Sequence, residues 1–300
     1  MLFTDQQLQK HDIDKLKRWL RVRTGGYTVS INSVPPHHRL FRGVKRTDRP
    51  TEVSHLSYPP LGKEGMGRLN RPGDSIFYGT VAGPAVFYEL RAKPGDLIAF
   101  SEWELTESLW FHHLGYHPSA LRTIGARPTP ERLRLTHPIP GESNSNRNMR
   151  RELSRAFTAN VIQSEEYKYK QSIAINELLF DNSSPFRDQA GGPVHRSAAG
   201  TVYPSLQMRG SADNIAILPS FVDSSLRPVN VQYIRIEASN EASLSYTFLT
   251  EGIASEFPNG HIQWIEKLPI ESKRRSHVSF ENGDWVMRDG KGVEYFRQPT

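Results

Sequence analysis

Four side chains in two separated stretches of the chain have the types and the order that chemistry on a charged small molecule would need. Arg68, Tyr78 and Glu89 lie ten and eleven residues apart in a glycine-rich stretch, residues 67–89. Ser205 follows much later, after a second short apolar run. A guanidinium, an aromatic ring, a single carboxylate and a hydroxyl together suit the binding of a charged ligand and the stabilisation of developing charge, without a metal or a redox group.

If the substrate is a dinucleotide whose glycosidic bond is to be broken, each of these residue types has a role to fill. Departure of a nicotinamide leaves positive charge on the ribose, so Glu89 would stabilise an oxocarbenium-like transition state and hold ribose hydroxyls. The planar fork of Arg68 is better suited than a lysine to fix a pyrophosphate. Tyr78 would stack on a ring, and Ser205 would orient the amide or the sugar.

Each of the four residues also has a purely structural explanation. Arg68 fits an exposed surface position, Tyr78 fits the core of a strand, and Ser205 fits a turn, where hydroxyls often bond the backbone. Glu89 follows an apolar run, so it either faces solvent by helical periodicity or is partnered at a site. The joint occurrence of the four, in this order and at this spacing, is what favours a site.

The spacing of the first three residues, with Ser205 following in order, resembles the RES domain, which is named for Arg, Glu and Ser. The matching segments cover residues 38–92 and 165–228. RES-domain proteins are typically toxins of bacterial toxin–antitoxin pairs. The resemblance implies a fold like that of the ADP-ribosyltransferases and the consumption of NAD as a substrate. Hydrolysis, phosphorolysis and transfer of ADP-ribose to a protein all remain open.

The resemblance also implies a catalytic set and a ligand-binding set. The catalytic residues are Glu89, Arg68, Tyr78 and Ser205. The residues that bind the dinucleotide are Arg42, Arg68, Tyr78, Asn70 and Asn214. In the family an arginine often opens the domain at the end of its first strand. Arg42 looks like that residue and would be a second cation for the phosphates, or else one charge in a basic run.

The chain departs from the compact toxins of this family by its length. We expect an N-terminal helix and lead-in (1–37), a RES-like catalytic domain (38–228) with an aromatic and proline-rich insertion at 101–164, and a β-rich extension (229–300) packed on the same domain. A dedicated antitoxin is the implied partner, while the added segments leave delivery, association into a homo-oligomer and a protein target open. A second function class stays open as well, a catalytically silent module that binds a nucleotide or a nucleic acid.

The composition is that of a soluble globular protein, with 37% apolar and 23% charged residues. The absence of cysteine excludes disulfides, thiolate catalysis and cysteine zinc sites. We find neither a membrane-length apolar run nor a secretory signal, so we expect a cytoplasmic protein without a membrane partner. The net charge is +6. Because acidic and apolar residues interleave with the basic clusters, solvated faces or affinity for a phosphorylated small molecule are favoured over nucleic acid.

The sequence predicts neither a metal site nor a phosphate-binding loop. His113 and His117 have the four-residue spacing of helical metal ligands, but Gly115 and Pro118 interrupt the helix, so no metal is expected. The sequence has no P-loop and no glycine fingerprint of a Rossmann dehydrogenase.

The elements that position these residues alternate between helices and strands. Apolar periodicity predicts helices over 5–22, 83–90 and, in two segments, 152–180. Strands are predicted over 27–31, 75–78, 96–100, at both ends of 200–217, and over 233–236, 244–249 and 261–265. Hairpin turns are predicted at 259–260, 282–283 and 289–290, and a loop at 56–73 that folds over a ligand. We therefore expect an α+β fold with a mixed twisted sheet of ADP-ribosyltransferase/RES type, with helical insertions and a C-terminal β-rich extension.

Overall fold

The computed structural model describes residues 2–24, 31–126, 143–181, 186–187, 193–194, 197–240, 242–265, 267–268, 275–282 and 284–299. These residues form an α+β fold with several helices and one large mixed sheet. The α-helices of these ranges are α1 (Asp5–Lys10), α2 (Ile13–Arg23), α3 (Ala85–Glu89), α4 (Pro118–Thr123), α5 (Asn144–Phe157), α6 (Tyr169–Asp181) and α7 (Pro219–Ser225). Short 3-10 helices lie at Val53–His55, Gln163–Lys168 and Pro258–Gly260.

The strands follow one another along most of the chain. They are β1 (Ile31–Val34), β2 (Arg39–Lys45), β3 (Phe77–Thr80), β4 (Leu97–Leu105), β5 (Leu109–His113), β6 (Phe186–Arg187), β7 (Pro193–Val194), β8 (Gly200–Pro204), β9 (Asp213–Ile217), β10 (Leu226–Asn240), β11 (Ser245–Ala254), β12 (Arg275–Glu281), β13 (Asp284–Asp289) and β14 (Glu294–Pro299). Twelve of them form one sheet in the order β1-β5-β8-β9-β3-β2-β4-β10-β11-β12-β13-β14, while β6 and β7 pair with each other. Strands β5 and β8 are parallel, and the other described pairs are antiparallel.

The N-terminal helices and the helices α5 and α6 cover one face of the sheet around β8, β9 and β3. The apolar stripe of α2, with Leu16 and Leu20 fully buried, packs into one core cluster with Ile173 of α6. Lys17 of α2 lies 3.2 Å from the Glu177 carboxylate of α6, which joins the two helices at the rim of this cluster. The N-terminal segment is therefore packed on the helical layer that covers this part of the sheet.

Two further core clusters complete the structure. The opposite face of the sheet buries Leu40, Phe77 and Trp103 under the loop that follows β2. The third cluster joins α3 to the C-terminal strands through Phe87 and Trp285. Because β10 pairs with β4 on one side and with β11 on the other, the C-terminal strands continue the same sheet.

Several elements agree with the sequence-based predictions. Helices α5 and α6 are the two segments expected in 152–180, although α5 begins earlier than predicted, at Asn144, and β8 and β9 are the two strands expected in 200–217. The predicted turn at 289–290 joins β13 and β14, and Asn282 has a left-handed φ of 55° between β12 and β13. Residues 25–30 and Gly283 lie outside the described residues.

Two of these predictions are wrong in detail. The helix expected over 5–22 is broken before Asp12, whose carboxylate caps α2 by accepting a hydrogen bond from the Lys15 N–H at 2.7 Å. Residues 261–265 do not form a strand. The Ile262 N–H donates to the Thr51 carbonyl at 2.8 Å and the Ile265 N–H donates to the Ile253 carbonyl of β11 at 3.0 Å, so the segment forms only isolated bridges.

Because two histidines at the end of β5 are buried, we expect the folded protein to lose stability in acid. Burial lowers the pKa of His112 and of His113 to about 4, and neither ring nitrogen of His113 has a hydrogen-bond partner among the described residues. The unfolded chain binds these protons near pH 6.5, whereas the folded chain does not. Stability should therefore fall between pH 6.5 and pH 4, by roughly 2 kcal/mol for each group from pH 7 to pH 5.

Urea unfolding at pH 7 and at pH 5 measures this effect. His113→Phe should show a smaller loss between the two pH values than the wild type, whereas the change at exposed His55, His55→Phe, should not. An equal loss in the wild type and in His113→Phe would exclude His113 as a source of the acid sensitivity.

Candidate active site

The short helix α3 presents Glu89 at its exposed end. Pro84 precedes the helix and favours its first turn, and the residues 85–88 are buried. Phe87 and Tyr88 pack against aromatic rings of the C-terminal strands, which fixes the orientation of the helix. Glu89, the last helical residue, therefore points out of this core toward the ends of strands β8 and β9.

The Glu89 carboxylate is held by two residues that lie more than a hundred positions later in the chain. The Ser205 hydroxyl donates a hydrogen bond to Glu89 Oε1, and Asn214 Nδ2 donates to the same oxygen at 2.9 Å. Ser205 is fully buried, and its oxygen accepts a hydrogen bond from the Met208 N–H at 3.1 Å. The described residues provide no hydrogen bond to Oε2 of Glu89, so the carboxylate is fixed through one oxygen and offers the other.

Strand register brings the remaining polar groups to the same face. Tyr203 of β8 lies opposite Asn214 of β9, and Asn214 lies opposite Thr80 of β3. Directly opposed residues project on the same side of a sheet. Asn214 is buried, and its Oδ1 has no hydrogen-bond partner among the described residues. One donor of this amide is thus used on Glu89, while its acceptor is buried without a partner among the described residues, in the wall of the cleft.

Two adjoining cavities meet at Glu89. The smaller lobe has a volume of about 220 Å³ and is lined by Arg68, Arg91 and Tyr169, among others. The larger lobe has a volume of about 350 Å³ and is lined by Arg42, Glu64 and Thr80, among others. Both lobes share the side chains of Tyr78, Glu89, Tyr203 and Asn214. Together they reach the roughly 300–1,000 Å³ typical of small-molecule sites, with the carboxylate at their junction.

Tyr78 is held rigidly at this junction. Its hydroxyl donates to Asn70 Oδ1 and accepts from the Leu69 N–H, both at 2.9 Å. Burial raises the pKa of Tyr78 well above its usual value, so the hydroxyl stays protonated. A side chain at Gly67 would collide with Asn70 and come within 2.9 Å of the Tyr78 hydroxyl, which explains the glycine next to Arg68.

Asn70 braces the loop behind Tyr78. Its Nδ2 donates to the carbonyls of Gly65 at 2.8 Å and of Arg71 at 2.9 Å, while Oδ1 accepts from Tyr78. Asn70 is buried and does not line either lobe. The structure therefore places it behind the binding surface, where it positions Tyr78.

Arg68 lines the smaller lobe, but its guanidinium donates most of its hydrogen bonds to backbone carbonyls. It donates to the carbonyls of Phe157 at 3.0 Å and Ala159 at 3.1 Å, at the C-terminal end of α5. Its guanidinium also lies over the ring of Tyr169, 5.4 Å from the centroid. Arginine near a helix C-terminus satisfies carbonyls that have no partner within the helix. Arg68 is thus a half-buried brace as well as a positive charge in the lobe.

Arg42 contributes positive charge to the larger lobe. It donates from Nη1 to the Tyr78 carbonyl at 2.6 Å and from Nε to the Ser57 carbonyl at 3.1 Å, and it lies over the ring of Phe77. Burial lowers the pKa of Arg42 to about 10, so it remains charged at neutral pH. The structure brings Arg42, Arg68 and Glu89 to one cleft from three separate elements.

Tyr203 and Arg91 line the cleft but are missed by the sequence motif. Tyr203 lies on β8, which ends at Pro204, and Ser205 directly follows the strand, so continuing the strand's period of two by one residue could have placed both on one face. Burial raises the pKa of the Tyr203 hydroxyl strongly. Arg91 lies just beyond α3, where the sequence carries no pattern that marks a side chain as directed toward Glu89.

Comparisons with known proteins found no matching family model, no matching curated protein and no matching solved structure. In the part of the chain that the structure describes, no group of three or more His, Asp or Glu side chains could hold a metal ion. The helices of the same part are too short or too polar to cross a membrane.

Proposed function

We propose that this protein is an NAD-consuming enzyme of the RES type, which breaks the bond between nicotinamide and ribose. The observation that carries the proposal is the Glu89 carboxylate at the junction of two polar lobes, fixed by Ser205 and Asn214 through one oxygen. Nicotinamide would leave with the electron pair of the C–N bond, and Glu89 would stabilise the positive charge left on the ribose. Water or phosphate would then bond to the anomeric carbon and lose its proton.

The rest of the cleft supplies what a dinucleotide needs. Tyr78 and Tyr203 offer flat faces for a ring, and the free Oδ1 of Asn214 can accept from a ribose hydroxyl or from the carboxamide. Arg42 and Arg68 give the two lobes positive charge for the phosphates. We propose on the same grounds that the sheet belongs to the ADP-ribosyltransferase/RES type and that an antitoxin blocks this cleft.

Transfer of ADP-ribose to a protein is the second candidate. A cavity of about 830 Å³ adjoins the larger lobe through the shared residues Arg42 and Glu64 and opens beside Tyr58. This space would admit an acceptor side chain next to the cleft, where a simple hydrolase needs only water.

Incubation of purified protein with NAD tests the proposal. We expect free nicotinamide, together with ADP-ribose from hydrolysis or ADP-ribose 1″-phosphate when inorganic phosphate is added. Protein-bound ADP-ribose in a lysate would indicate the transferase instead. Bacterial expression should lower cellular NAD and arrest growth. Binding of NAD without release of nicotinamide would favour the silent binding module, and soluble protein that neither binds nor consumes NAD would refute the proposal.

A further inference from the structure

Arg91 occupies a backbone position that is normally filled by glycine. The chain leaves α3 through two hydrogen bonds, from the Arg91 N–H to the Tyr88 carbonyl and from the Ala92 N–H to the Phe87 carbonyl, both at 2.9 Å. This pattern is the Schellman motif, in which the C-cap is here Leu90 and the residue that follows the C-cap adopts a left-handed conformation. Arg91 has a φ of 45°. Glycine is strongly favoured there because every other residue brings its Cβ too close to the backbone.

The side chain of Arg91, whose backbone has this unfavourable conformation, lines the cleft. Arg91 is two residues beyond Glu89, and both line the smaller lobe together with Arg68. The Arg91 side chain is exposed, and no ion pair or hydrogen bond to its guanidinium occurs among the described residues. Arg68, by contrast, donates its Nη atoms to the backbone carbonyls of Phe157 and Ala159. Arg91 therefore has the more available guanidinium of these two lobe residues.

We infer that Arg91 is a specificity residue of the cleft, which binds the phosphate of a nucleoside diphosphate in the smaller lobe. A guanidinium fork makes two parallel charge-assisted hydrogen bonds to phosphate oxygens. The left-handed backbone directs this fork to the lobe beside Glu89, and a Lys45 ammonium 3.4 Å from the Arg91 carbonyl supports the backbone there. The inference deepens the proposed function, on which its identification of the bound diphosphate as part of NAD rests.

The test compares Arg91→Gly and Arg91→Lys with the wild type. Glycine removes the phosphate contact and the backbone strain together, so Arg91→Gly should have a melting temperature about 2 °C higher. Its affinity for ADP, measured by calorimetry, should fall about 10- to 100-fold. Arg91→Lys keeps the charge and the strain but loses the fork, so its ADP affinity should lie between those of the wild type and of Arg91→Gly, without the gain in melting temperature. Adenosine, which has no phosphate, should bind all three proteins equally well.

The outcomes separate this inference from the proposed function. Equal ADP affinity in Arg91→Gly and in the wild type overturns the inference, as does a parallel loss of ADP and adenosine binding or the absence of ADP binding by the wild type. NAD turnover is measured on the same proteins. If ADP binding depends on Arg91 but no nicotinamide is released, the inference stands and the proposed function fails. If Arg91→Gly releases nicotinamide with an unchanged KM for NAD, the proposed function stands and the inference fails.

Discussion

Glu89→Gln is expected to lower NAD turnover by about 100- to 1,000-fold while it leaves NAD affinity within a few-fold of the wild type. The loss corresponds to the roughly 3–4 kcal/mol that a preorganised electrostatic contact gives a transition state. The amide oxygen of glutamine still accepts from Ser205 and Asn214, so the geometry in the structure is retained. The substitution removes the negative charge that faces the developing oxocarbenium ion, and little else.

Single-turnover kinetics and calorimetry together measure the two quantities. The matched control is Glu64→Gln, which removes from the wall of the larger lobe a carboxylate that receives no hydrogen bond from Ser205 or Asn214 among the described residues. We expect this control to lose less than about tenfold in turnover, since Glu64 lacks the fixed position beside the scissile bond. A Glu89→Gln protein that turns over NAD at the control's rate, or that loses NAD affinity as severely as Arg68→Ala, would show that Glu89 is a structural carboxylate.

The resemblance of the residue spacing and order to the RES domain was what marked Glu89 and Ser205 as candidates. They come together because β8 and β9 form an antiparallel pair whose end faces the end of α3. Part of the order of helices and strands was readable because apolar periodicity reflects burial on one face, but β5, α4 and α7 were not predicted. The length of the sheet was harder to predict from the sequence, because β10 extends over fifteen residues and pairs with both β4 and β11. Such long-range pairing follows from the topology of the whole chain.

The roles of polar side chains were harder to predict than their places. Asn70 has the residue type of a ligand contact, yet its amide is used up by loop carbonyls and by Tyr78. Arg91 lacks any motif, yet the helix exit after α3 brings it to the cleft. A hydrogen-bond partner is determined by backbone that lies distant in sequence, so residue type alone cannot distinguish a brace from a binding group.

Arg68→Ala is expected to destabilise the fold as well as the bound state, because the structure gives Arg68 a bracing role that its motif does not reveal. The substitution removes charge-assisted hydrogen bonds to the carbonyls of Phe157 and Ala159 and the contact with the Tyr169 ring. Each such bond contributes about 1.5–3 kcal/mol, so the free energy of unfolding should fall by roughly 3 kcal/mol once part of the loss is recovered by water. The segment that follows α5 lines the smaller lobe through residues 160–161, so NAD affinity should fall too.

Urea unfolding of Arg68→Ala, Arg68→Lys and Arg155→Ala separates bracing from ligand binding. Arg155 projects from α5 and pairs with Glu152 at the exposed surface, 2.8 Å apart, so Arg155→Ala should cost less than about 1 kcal/mol. Lysine at position 68 keeps the charge, but its single ammonium cannot reproduce the fork that spans the two carbonyls, so it should remain destabilised. Wild-type stability in both Arg68 variants, with only NAD affinity reduced, would contradict the bracing role. The guanidinium would then act on the phosphates directly, which is the function that the sequence motif alone assigns to it.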